Sequence, residues 1–103
     1  MHPASIRNVA HGSYITDGTA AAFTITTGFK PRYVIVVNTN ASGDVAMEWF
    51  EGMTAAYGVK TSIAGARSLI TSLGITVSSS GFTVGLDTDL NVTNEQLHWQ
   101  AIG

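Results

Sequence analysis

The 103 residues suffice for one domain and little more, and no cysteine is present to staple it, which excludes a disulfide scaffold. Only 12% of the residues are charged, about half the usual share of roughly 25%, and the net charge is −2; so weakly charged a surface suits a subunit partly covered by neighbours. The five cations, Arg7, Lys30, Arg32, Lys60 and Arg67, are scattered, and no apolar run approaches the roughly 18 residues of a membrane span, so neither nucleic acid nor membrane is an expected partner.

Residues 1–18 read as an N-terminal arm, without the apolar segment of a signal peptide. Within it Ser13–Thr16 offers one short strand and Asp17-Gly18 a turn. Residues 1–12 are expected to be removable without loss of the fold. The folded domain is expected over residues 19–103. Ala20–Thr27 reads as a half-buried strand, with Phe23 and Ile25 facing one way and Thr24 and Thr26 the other. Pro31 lacks an N–H and suits the start of a strand; Tyr33–Val37, rich in β-branched residues, follows. Ser42-Gly43-Asp44 marks the tip of a turn and Val45–Phe50 returns, which makes a β-hairpin. Both arms of this hairpin carry apolar bulk on both faces. One face belongs in the core, anchored by Trp49 or Phe50; the other must meet a second sheet or another subunit.

Residues 52–61 read as a loop, because Gly58 cuts short a helical turn over Met53–Tyr57. Ser68–Thr71 and Ile75–Val77 are short strands split by Leu73-Gly74. Ser78–Gly81 is a turn, and Phe82–Val84 returns as a hairpin partner. Residues 86–94 are polar and irregular. Leu97–Ile102 is a closing strand, with Leu97, Trp99 and Ala101 on one side and His98 on the other. Short strands at this spacing, with no sustained helical period, predict an all-β protein: a single β-sandwich or jelly-roll-like domain of antiparallel strands.

Motifs of chemistry are sparse. Asp87-Thr88-Asp89-Leu90-Asn91 begins like a calcium loop, but Val92 stands where the sharp turn needs Gly and His98 where the bidentate Glu belongs. An Asp/Asn-rich turn is expected instead. Glu48 and Glu51 lie three apart, which on a strand sends them to opposite faces and prevents a catalytic pair. His2, His11 and His98 match no metal spacing, and no nucleophile elbow, P-loop or H-E-x-x-H segment occurs. The chain is therefore expected not to be an enzyme, with no catalytic residues, cofactor or metal. Trp49, Trp99, Tyr14, Tyr33 and Tyr57 admit a sugar-stacking surface, although aromatics on strands more commonly anchor cores and interfaces.

The segments Gly28-Phe29-Lys30-Pro31-Arg32-Tyr33-Val34, Val36-Val37-Asn38 and Glu48-Trp49-Phe50-Glu51-Gly52-Met53 resemble those of small virion proteins of tailed bacteriophages. So do Leu73-Gly74-Ile75-Thr76-Val77, Gly81-Phe82-Thr83-Val84-Gly85 and Leu97-His98-Trp99-Gln100-Ala101. The resemblance runs from about Phe23 to the C-terminus and leaves out the first twenty or so residues. It implies a structural role on the particle: a capsid decoration or cement protein, made in the bacterial cytoplasm and placed on the capsid surface. The expected partners are the major capsid protein and further copies of the chain, as a homo-oligomer with a trimer foremost. A carbohydrate-binding or structural component of a tail or head fibre is the alternative. The N-terminal arm would act as a clamp that orders on its neighbour, with Ile6, Arg7, Val9 and Tyr14 as its partner-binding anchors.

Overall fold

The computed structural model describes residues 8–16, 22–40 and 45–103. Among these residues there are eight strands and no helix. They are β1 Val9–Ile15, β2 Phe23–Thr26, β3 Tyr33–Asn38, β4 Ala46–Phe50, β5 Tyr57–Thr61, β6 Arg67–Ser78, β7 Gly81–Val84 and β8 Gln96–Ile102. Every pairing is antiparallel, and the strands form one sheet in the order β1-β8-β3-β4-β5-β6-β7-β2. The all-β antiparallel class is as expected. Instead of two stacked sheets, the described strands make one sheet that curls into a half-barrel around its own inner face.

The curl follows from the middle of β6. Its first half pairs with β5 as far as Ile70 opposite Gly58, and its second half resumes at Ile75 opposite Tyr57. The residues between are an irregularity of the kind that sharpens local twist and bends a strand. Leu73 takes φ 62° there. The next residue must be glycine: a Cβ on Gly74 would lie 2.4 Å from the Tyr57 carbonyl oxygen. The two strands expected on either side of Leu73-Gly74 are thus one strand with a corner. Beyond the corner, β7 and β2 swing over the inner face, where Tyr14 of β1 stacks on Phe23 of β2 (centroids 4.1 Å apart) and Phe82 of β7 meets Trp99 of β8 edge-on.

Alternation along each strand sends one set of side chains into this core. Val34 and Val36 of β3, Met47 and Trp49 of β4, Ile75 of β6, Phe82 and Val84 of β7 and Leu97 and Ala101 of β8 are all buried. Trp49, not Phe50, is the core anchor of the β3–β4 hairpin. Leu90, from the irregular stretch 86–94, is buried with them. Asn38 joins that stretch to the sheet: its Nδ2 donates to the Asp89 carbonyl and to Glu95 Oε1, both at 2.8 Å, so the buried amide is paired.

Two expectations are corrected. Residues 57–61 are strand β5, not loop. Gly58 does not break the strand; it makes room for Met47, whose Cγ and Sδ would stand 2.8 Å from a Cβ at that position. The sheet also takes in more of the N-terminal segment than Ser13–Thr16. β1 pairs with β8 from Val9 opposite Ile102 to Ile15 opposite Gln96, so removing residues 1–12 would take away over half of an integral strand.

Candidate functional site

The face of the sheet turned away from the core is the molecule's most distinctive surface. One row across it runs Val9, Ile102, Tyr33, Phe50; the next runs His11, Gln100, Ile35, Glu48, Val59, Leu69. Val9, Ile15, Phe50 and Leu69 are exposed, Leu69 at 57%. Ile35, Val37, Val59 and Ile102 are half-buried. A solvent-facing antiparallel sheet normally reads apolar inside and polar outside. Here the hairpin presents apolar side chains on both sides, and nothing among the described residues covers the outer one.

The charge on this face is internally cancelled. Glu48 points outward and accepts a hydrogen bond from Tyr33 Oη at 2.6 Å and another from Arg67 Nη2 at 2.9 Å. Burial and the hydrogen bond and charge of Glu48 push the Tyr33 phenol up to about 12, against a smaller lowering by Arg67. Tyr33 therefore stays a neutral donor at physiological pH. The carboxylate has two partners, so a neighbour laid over this face would meet little unpaired charge.

The acidic loop is neutralised from within. Lys60 Nζ lies 2.9 Å from Asp87 and 2.6 Å from Asp89. Burial works against the Lys60 ammonium, but the hydrogen bonds and charges of Asp89 and Asp87 outweigh it, so its pKa lies above the ordinary lysine value. Asp87 also caps the turn, accepting the Asp89 backbone N–H at 2.9 Å. The segment that begins like a calcium loop is thus an Asx turn around a lysine. No group of three or more metal-ligating side chains converges among the described residues. Sequence reading missed Lys60 as the partner because it lay in the segment taken for a loop.

The remaining candidates are dispersed. Glu51 pairs with Arg32 at the surface, 3.3 Å apart and apart from Glu48. His98 shares a hydrogen bond with Thr39, and His11 stands on β1. Val9 is presented outward; Tyr14 turns inward on Phe23. Ile6, Arg7 and His2 lie outside the described residues. A recess of about 280 Å³ opens near the end of β4, lined by Lys30, Pro31, Trp49, Glu51, Met53 and Val77 among others. Trp49 is only 7% exposed there, so the recess offers little of the open aromatic face that sugar stacking uses. No helix among the described residues is long and apolar enough to cross a membrane. Compared with models of known protein families, with curated proteins and with solved structures, the chain matches none.

Proposed function

We propose that this chain is a structural protein of a tailed-bacteriophage particle: a non-enzymatic capsid decoration protein that binds the major capsid protein as a homo-oligomer on the outside of the head. The observation that carries the reading is the outer sheet face, apolar, charge-cancelled and uncovered by any described residue. The motifs that carry the phage resemblance support it. GFKPRYV leads into β3 and EWFEGM closes β4, so both lie on the hairpin that is apolar on two sides.

A protein built for contact works by mass action. Bound to the assembled shell and not to free capsid subunits, it lowers the free energy of the shell alone and so stabilises it. Many copies, each burying on the order of 1,000 Å², hold firmly without any single tight contact. Phe50, Leu69 and Ile35 are the side chains placed to supply that burial. The clamp proposed for the N-terminus is confined to residues 1–7, since Val9–Ile15 belong to the sheet.

The test is copy number in particles purified from the host, by quantitative gel. Hundreds of copies per particle meet the proposal; a handful moves the chain to a tail or fibre; none overturns it. Phe50→Lys should fold as the parent does and lose its place on the particle. The fibre alternative, with a carbohydrate ligand, is tested by glycan-array binding of the full chain; the recess beside Trp49 does not favour it, since that ring is only 7% exposed.

A further inference from the structure

Among the described residues the sheet has two open edges, β1 and β2, and they are not equivalent. Just beyond the two ends of β1, Thr16 N donates to the Glu95 carbonyl, and Gly103 N donates to the Asn8 carbonyl. In an antiparallel ladder hydrogen-bonded residues alternate with non-bonded ones. The even-numbered residues of β1 therefore bond to β8, and Val9, His11, Ser13 and Ile15 direct both N–H and C=O away from it. Just past β2, Thr27 N donates to the Ser80 carbonyl, so the odd-numbered residues of β2 bond to β7 and only its Thr24 and Thr26 face outward. The two edges do not close on each other: no Cα of β1 comes within 8 Å of one in β2, whereas paired strands stand about 4.5–5.5 Å apart. Among the described residues β1 is thus a seven-residue edge, and it carries none of the Lys, Asp, Glu or Pro side chains that normally block edge-to-edge pairing.

We propose that β1 is a self-association edge, on which a second copy of this chain docks its own β1 in antiparallel register about a two-fold axis at Gly12. Three features select this occupant. The outward backbone groups of all four odd residues are used only when Val9 lies opposite Ile15 of the second copy and His11 opposite Ser13, and this register is its own mirror under the two-fold. It sets the exposed Val9 against the exposed Ile15 at both ends, on the outer face, and a hydroxyl against an imidazole between them. It brings no carboxylate or ammonium side chain of β1 against another, since the strand has none. Pairing β1 with the β2 edge of a neighbour would engage two residues in place of four. The result is one continuous sixteen-stranded sheet whose apolar outer face spans both copies.

This inference rests on the reading that the chain acts through contact, and it replaces the expected trimer by a two-fold assembly. The test is sedimentation velocity of the full chain, with two variants. Ser13→Pro removes an outward N–H that no described residue of the chain uses, and proline is tolerated on edge strands where the N–H faces solvent. The parent should sediment at twice the chain mass, and Ser13→Pro at the chain mass with an unchanged far-ultraviolet circular dichroism spectrum. Val9→Cys/Ile15→Cys, in a chain otherwise free of cysteine, should oxidise to a covalent dimer linked 9 to 15, and neither single variant should. If Ser13→Pro does not fold, the cysteine pair decides alone. A parent that is monomeric or trimeric, or an association that survives Ser13→Pro and yields no 9-to-15 link, overturns the β1 edge. In the last two cases the contact reading stands, and copy number on the particle judges it separately.

Discussion

The two faces of the β3–β4 hairpin are built from the same kinds of residue and meet different fates. Val34, Val36, Met47 and Trp49 are sealed in the core; Tyr33, Ile35, Val37 and Phe50 look out. Apolar character alone does not decide which side becomes the interior. The curl at Leu73-Gly74 does, because it brings β7 and β2 over one side only. No described residue covers the outer face, so its hydrophobic driving force is not used among them, and the proposed contact role draws on that asymmetry.

Substitutions that treat the faces alike give the sharpest test. Phe82→Ala empties the core and should lower the unfolding free energy by about 3–5 kcal/mol. Leu69→Ser on the outer face should stay within about 0.5 kcal/mol for the isolated chain. Urea denaturation reads both, and comparable losses would falsify the division into a used and an unused face. Next in size is Lys60→Ala, which leaves the buried Asp87 without its cation. The loss should fall below the roughly 3–5 kcal/mol of a fully buried pair, because Asp89 is half in water. Lys60→Met/Asp87→Asn should restore part of it.

The same lysine gives a pH dependence. Its folded-state pKa is raised, so the folded chain holds the proton more tightly than the unfolded one. That contribution is fully present below the ordinary lysine value of 10.5 and fades as pH climbs through the raised value. The double variant should lack this alkaline loss. Tyr33 acts in the same direction from the outer face. Its phenol ionises at about 12 in place of 10.0, so the stability it lends is lost between those values as pH rises. A tyrosinate absorbance titration should show one component near 12, and Glu48→Gln should move it toward 10.0. Smallest of all, Arg32→Ala breaks an ion pair between two mostly exposed side chains and should cost below about 1 kcal/mol. A larger effect would mean that the Arg32–Glu51 contact carries weight its exposure does not suggest.

Local signals were enough for β2, the β3–β4 hairpin, β7 and β8, where alternation is bounded by Gly, Pro or Asn. They failed at β5, because Gly58 looks like a breaker until Met47 is placed against it. They also failed for the acidic loop: its start looks like a calcium site, and only the fold brings Lys60 to it from 27 residues away in sequence. The pairing of β1 with β8 joins residues at opposite ends of the chain, a contact on which short-range periodicity is silent.

Taken by itself, the sequence determined the all-β class, the two-sided hairpin, the low charge and the lack of a metal or catalytic motif, since each is a matter of residue type and spacing along a strand. Only the tertiary structure decided that Trp49 turns in and Phe50 out, that the described strands join in one curled sheet, and that β1 stands at its edge. Those outcomes depend on register between distant strands and on a backbone corner. A one-residue change of register would exchange the two faces without altering composition at all.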